Sequence, residues 1–407
     1  MINNGGYMNL LLMAVLMIFS STTLSQETLD YIINIKDKKN YRGEITIKTN
    51  KINDFSLLYP RVNRDGHTRD KPIYCVKNDI VTEVKIDEKI NCDEVKWEIQ
   101  FFPLDKAGVD VYEQKNIYSS DDNWFIFTEW NDLYRVKGDY FSRICVEEPL
   151  VKCYEIPNLD SAPLIITSGL ISKNIKFNNE EMIEISTDYP NLLDKEEVNI
   201  WLPTLRKQIS FLLGVFNERK KGNFHFVWLR KDKSSGSLSG ASGYNIYLSN
   251  ILVDENKITS KSYKHLLKVS AHELVHFLSP LNSQIWISES IAEYLSLLSL
   301  KGTEYEFDKP INRKTLDPLI RDVGLYKANK LVTIEKKYNY YPIFYTKGVD
   351  FWNELDKKLL NNDVSLIELF PYLGGNNEDG LPTIFIDKVV SIIGEVEWNN
   401  LEKKYLI

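Results

Sequence analysis

Only four cysteines and five histidines occur among the 407 residues, and no cysteine follows Cys153. A cysteine nucleophile is therefore excluded from the second half of the chain. An excess of basic charge is missing as well. Lys and Arg number 50 against 57 Asp and Glu, a net charge of −7, which gives nucleic acid no electrostatic footing. The apolar run Leu10–Phe19 stops after ten residues. That is about 15 Å of helix, half a hydrocarbon core, and too short to span a bilayer. No internal repeat, P-loop or Rossmann fingerprint is present. Gly236-Ser237-Leu238-Ser239-Gly240 places Leu where a nucleophile elbow needs Ser.

What is present argues for a folded, exported protein. Aromatic residues make up 12% of the chain, against disorder. Met8–Ser25 reads as a signal peptide, with small residues Thr23 and Ser25 before a cut ahead of Gln26. The run lacks the usual preceding Lys or Arg. Less a leader of 25 residues, 382 remain, enough for two or three domains. The expected location is periplasmic, cell-surface or secreted, with no transmembrane helix in the mature chain. An even cysteine count in an exported chain implies two disulfides. Three connectivities exist, and short loops favour Cys75–Cys92 and Cys145–Cys153.

Hydrophobic periodicity divides the chain. From about Thr28 to Asp188 it reads as strands, with period-two alternation at 43–48, 81–87, 96–102, 123–130 and 182–187. Turn signals such as Arg64-Asp65-Gly66 separate them. A helical pattern follows over 202–216, with Pro203 expected in its first turn. Strands at 224–229 and 244–249 flank a Ser/Gly loop, 230–243. Tyr263–Leu278, stopped by Pro280, and Trp286–Leu300 read as helices. After residue 301 the chain is mostly helical, for example at 348–360 and 383–393, with a loop at 373–382. The expected class is α+β: a β-sandwich-like domain over 26–165, a catalytic domain over 166–300 and a helical part over 301–407.

The chemistry concentrates at His272-Glu273-Leu274-Val275-His276, an H-E-x-x-H pattern. On a helix, positions i and i+4 share a face, so both imidazoles reach one metal. Glu273 is rotated about 100° from His272, which sets its carboxylate beside the metal where an attacking water would sit. Zinc in a hydrolase needs a third protein ligand and one open position. The metal lowers the water pKa to about 7, and the glutamate accepts its proton.

Ten residues past His276 begins Trp286-Ile287-Ser288-Glu289-Ser290-Ile291-Ala292-Glu293-Tyr294. Here the chain resembles the glutamate-zinc metallopeptidases (gluzincins), most closely the M1 aminopeptidase and M61 glycyl-aminopeptidase families. Their second helix carries W-x-x-E-G-x-x-x-Y. The resemblance implies a thermolysin-like zinc domain with Glu289 as third ligand, and it puts Tyr294 on the motif's tyrosine. Ser290 replaces the usual Gly. The interval from His276 to Glu289 is shorter than in the M1 pattern, which favours an M61-like or divergent member. Tyr345-Thr346-Lys347-Gly348 matches a Y-x-K-G element, which implies that Tyr345 stabilises the oxyanion; Tyr338, Tyr340 and Tyr341 crowd the same segment. Glu293, one turn past Glu289, is a candidate carboxylate partner for a ligand histidine and a fallback third ligand. A C-terminal PDZ domain, typical of M61 proteins, is not expected before Ile407.

One departure is upstream. These families carry G-A-M-E-N or G-G-L-E-H on an edge strand, whose Glu grips a free amine; Gly240-Ala241-Ser242-Gly243-Tyr244-Asn245 offers no carboxylate. The strand 244–249 is expected to be able to pair with an extended peptide. His67, His225 and His265 read as non-ligands. The expected function is a Zn2+-dependent peptidase acting on peptides or proteins, with aminopeptidase action in doubt. The alternatives are a zinc hydrolase of another carbonyl bond and a surface binding protein with a vestigial zinc site.

Overall fold

A computed structural model of the chain describes residues 28–61, 71–130, 132–147, 151–178, 181–216, 224–235, 239–255, 257–279, 283–307, 318–374 and 380–407. The expected leader, the Arg64-Asp65-Gly66 turn, His67, Pro280 and residues 375–379 lie outside the described residues. The fold is a mixture of helices and several sheets. It divides into two compact units: residues up to Gln100 with Asn131–Ile156, and Phe101–Trp130 with Pro157–Ile407.

The first unit is built on a seven-stranded sheet. Strand Thr28–Asp37 lies inside it, parallel to Phe141–Val146 and antiparallel to Arg42–Lys48. Alternation sends Ile45, Ile47, Val95, Trp97 and Ile99 into the core, as period two requires. Two disulfides close this unit, Cys75–Cys92 and Cys145–Cys153, with Cα separations of 5.5 and 4.0 Å. These are the short-loop pairs expected from the sequence, and Cys145 and Cys153 are direct cross-strand partners. The bonds close loops of 17 and 8 residues. Replacing either pair by Ala should cost about 3 kcal/mol, measured by urea unfolding of the disulfide-intact and mutant chains.

The second unit contains a five-stranded mixed sheet. Its strands are β1 (Ile171–Lys176), β2 (Met182–Thr187), β3 (Phe224–Asp232), β4 (Gly240–Gly243) and β5 (Ile246–Val253). They lie in the order β1-β2-β3-β5-β4, with β2, β3 and β5 mutually parallel and the outer strands antiparallel. This corrects the sequence reading at two places. The Ser/Gly stretch is itself a strand over 240–243, and the strand expected at 244–249 lies inside the sheet as β5. The turn at Tyr244-Asn245, with Asn245 at φ 59°, reverses the chain so that the short, small-residue segment takes the edge.

Helix α1 (Lys195–Phe216) links β2 to β3 and begins seven residues before the expected start. Pro203 therefore sits inside the helix and not in its first turn. Val198 and Trp201 extend the apolar stripe of Leu205, Ile209 and Leu212 backwards, and their burial outweighs the hydrogen bond that proline removes. Trp201 packs edge-on against Trp228 of β3, centroids 4.8 Å apart. Helices α2 (Ser260–Leu278) and α3 (Ile285–Ser299) follow close to their expected bounds. Gln208 of α1 ties the two together, its amide donating to Leu267 O at 3.2 Å and Ser299 Oγ at 3.0 Å.

Residues 101–130 belong with this unit. Strand Trp124–Thr128 pairs with Ile165–Ser168, and Trp124 and Ile126 share a buried cluster with Val227, Leu229, Ala241 and Leu248. The later helices, including α4 (Val349–Leu360), share one core with α1, α2 and α3, through residues such as Leu325, Phe351, Trp352 and Phe385. No helix among the described residues is long and apolar enough to cross a membrane.

Candidate metal centre

Helix α2 starts at Thr259, whose hydroxyl accepts from Ser262 N. It buries Leu266, Leu267, Leu274 and Leu278, and Ser270 Oγ accepts from the Trp228 indole at 3.0 Å. That packing fixes the helix rotation, so that His272 and His276 emerge toward α3. The two Nε2 atoms are 3.2 Å apart. Glu289 Oε2, from α3, lies 3.4 Å from His272 Nε2 and 3.8 Å from His276 Nε2. The ligand atoms of these three residues all lie within 4.8 Å of one another, a possible metal site.

The donor set fits zinc. Ligands at about 2.1 Å in a tetrahedron are spaced by about 3.4 Å, and the three observed separations bracket that value. Each outer ring nitrogen also has an oxygen beside it, and that of His276 meets it with hydrogen-bond geometry. His276 Nδ1 is 3.2 Å from Ser288 Oγ, and His272 Nδ1 faces Glu293 Oε2 at 3.3 Å. Both imidazoles thus turn the same nitrogen, Nε2, toward one point. Glu293 stands behind His272, on the ring nitrogen opposite to the one that faces Glu289.

Electrostatics follow from burial and from these partners. Burial disfavours the charged form of Glu289, yet His276 and His272 outweigh it and hold its carboxyl well below the usual carboxylate range. Burial opposes charge on His272 too, but Glu289 and Glu293 prevail and raise its pKa. At Glu293 burial is overcome by Lys268 and His272, and the carboxyl falls to about 2.

Glu273 is buried at 8% exposure, and the edge strand runs against it. A Cβ placed on Gly240 of β4 would come within 2.4 Å of Glu273 Oε1. A larger residue at 240 would make the Glu273 carboxylate shift, whereas glycine lets the strand run against it as it stands.

Tyr345 and Tyr341 both reach Glu289. Tyr345 donates to Oε2 at 2.7 Å and Tyr341 to Oε1 at 2.7 Å. Tyr345 lies in a π-helical turn, Phe344–Gly348, that leads directly into α4. Burial first, and the Glu289 charge second, push its phenol far up, so it remains a neutral donor. Tyr338, by contrast, is 43% exposed.

Ser290, in the place of the resembling families' Gly, is fully buried. It accepts from the Trp352 indole at 2.7 Å, and Trp352 stacks on Trp286 with centroids 5.9 Å apart. Gly348 leaves room for this contact, since a Cβ there would meet Ser290 Cβ at 2.5 Å. Gly348→Ala should therefore destabilise the fold by about 1–3 kcal/mol, and adding Ser290→Gly should recover part of the loss, measured by thermal unfolding.

Other sequence candidates sit elsewhere. His225 Nε2 is 2.8 Å from Ser186 Oγ, and His265 packs edge-on against Phe307. Tyr294 turns away to Asp356, donating at 2.7 Å. The sequence reading missed Ser288, Lys268 and Gly240. Helical spacing carried a signal for one of them, because Lys268 precedes His272 by one turn on α2.

The fold is similar to that of an aminopeptidase N family protein from Idiomarina loihiensis. The TM-score is 0.63 at 13% identity, over 93% of this chain and 76% of that one. Yeast LTA4 hydrolase, solved with bestatin, aligns at TM-score 0.46 and 13% identity, over 94% and 68% of the two chains. Legionella pneumophila aminopeptidase A, solved with aspartic acid, aligns at 0.48 and 12%, over 94% and 49%. No protein-family model matches the sequence, and no curated protein does. At such identity the likeness is one of fold.

Proposed function

We propose that this chain is an exported zinc metallopeptidase of the glutamate-zinc class, with a thermolysin-like catalytic domain. The observation that carries the reading is the grouping of His272, His276 and Glu289 within 4.8 Å, beside Glu273. The likeness in fold to an aminopeptidase N family protein supports it, and two disulfides are compatible with export through a leader at 1–25.

His272, His276 and Glu289 would hold the ion. Zinc bound there would polarise the scissile carbonyl and lower the pKa of a water to about 7. Glu273 takes the proton of the attacking water and returns it to the leaving amine. Tyr345 exchanges its bond to Glu289 for one to the substrate oxygen as charge develops there, while Tyr341 keeps the other oxygen of Glu289 in place. Tyr345→Phe should lower kcat by about 10²–10³ with little change in KM, read by steady-state peptide hydrolysis.

Among the described residues β4 is the last strand of its sheet, so an extended peptide can pair with its backbone. Its sequence, Gly240-Ala241-Ser242-Gly243, brings no carboxylate for a free amine. Two acids of adjoining segments have cationic partners: Asp110, which accepts from Ser239 Oγ, pairs with buried Lys231 at 2.9 Å, and Asp254 pairs with Lys233. The reading is therefore of a peptidase with little preference for a free N-terminus.

The test is zinc content of the mature protein, together with mass-spectrometric mapping of cleavage in a peptide mixture. One zinc per chain is expected, with N-acetylated peptides cut within about tenfold of their free-amine counterparts. Zinc without any peptide turnover would reject peptidase action. Complete protection by acetylation would restore the aminopeptidase reading.

A further inference from the structure

We propose that Lys268 is a positioning residue for the metal site, acting through Glu293 on His272. The inference rests on the zinc reading above. Lys268 lies one turn before His272 on α2, and Glu293 lies one turn after Glu289 on α3. Its ammonium donates to Glu293 Oε1 at 2.7 Å, and the other oxygen of that carboxylate, Oε2, stands 3.3 Å from His272 Nδ1. One carboxylate thus divides its two oxygens between a cation and the back of a ligand ring. The side chains of Glu293 and Lys268 are 2% and 17% exposed, so solvent does little to fix either.

A buried ion pair is not in itself a gain in stability, because desolvation offsets the attraction. This pair has a geometric consequence. With Oε1 held by Lys268, the carboxylate plane of Glu293 is fixed, and Oε2 faces the imidazole. The ring orientation of a ligand histidine is set by the partner of its other nitrogen. Without the ammonium, Glu293 is free to turn about its own side-chain torsions, and the aim of His272 Nε2 is lost with it. Ser288 does the same service for His276 from a short side chain on α3, with no third residue needed. The asymmetry places the burden of orientation for His272 on a pair that bridges both helices.

The test uses the full mature chain stripped of metal and titrated with zinc against a chelating competitor. Wild type should bind one zinc. Lys268→Met, which keeps the length of the side chain and removes its charge, should bind about 10–100-fold more weakly, and Lys268→Arg should recover most of the loss. Because Lys268 acts through Glu293, the double variant Lys268→Met/Glu293→Gln should bind no more weakly than Glu293→Gln alone. Unfolding of the metal-free variants in chelator reads the fold separately, and a purely structural role would lower that midpoint without the rescue pattern in zinc affinity. Folded Lys268→Met with wild-type zinc affinity overturns the proposal, as do losses that multiply in the double variant. If Lys268→Met does not fold, Glu293→Gln with wild-type affinity overturns it in its place. A wild-type chain that takes up no zinc rejects the metal site itself and, with it, this role.

Discussion

Glu273→Gln is expected to keep one zinc per chain and to lose roughly 10²–10⁴ in kcat, the range for a missing general acid–base. The substitution preserves size and removes only the ability to accept a proton. His272, His276 and Glu289 are untouched by it, and their mutual spacing of 3.2 to 3.8 Å is set by α2 and α3. Gln matches Glu in size, so the variant should hold the native side-chain position beside Gly240 of β4. Zinc content by atomic emission and hydrolysis of a quenched peptide separate the two effects. Full activity in Glu273→Gln would remove the base from the mechanism, whatever the metal content.

His276→Ala should abolish stoichiometric zinc and, with it, turnover. Two ligands remain, Ser288 loses its ring partner, and no other His, Cys, Asp or Glu among the described residues joins the same ligand group. The metal-free fold should survive, since His276 is partly exposed while the apolar side of α2 is buried. Zinc added at about 100 times its Kd raises wild-type stability by about 2.7 kcal/mol, and that increment should vanish in His276→Ala. His225→Ala, whose ring is engaged with Ser186 on the sheet, is the control and should retain both zinc and the increment. Equal zinc in His276→Ala and wild type would reject the site.

Much of this was legible before any coordinates. Two histidines four apart in an apolar-periodic segment must share a helix face, because 3.6 residues make a turn. Short loops between cysteines likewise pointed to Cys75–Cys92 and Cys145–Cys153, since closing a short loop costs little chain entropy. The extent of α1 is not legible in its sequence, because Pro203 reads locally as a helix start. Only the packing of Val198 and Trp201 against the sheet carries the helix through it.

The sequence alone determined the local periods: which long segments alternate as strands or repeat as helices, and which residues of one helix face the same way. It also determined the chemistry available, two imidazoles and several carboxylates with no thiol nearby. Tertiary structure decided which groups from different segments meet. Glu289 and Glu293 both project from α3, yet one faces the ring nitrogens His272 and His276 share and the other backs His272, a difference set by the docking of α3 on α2. Tyr341 and Tyr345, four residues apart, both meet Glu289 because their segment packs against α3, and Gly240-Ala241-Ser242-Gly243 takes the outer side of β5 because β3 pairs with the other. Contacts between residues distant in the chain depend on how buried faces fit together, and no local pattern carries that information.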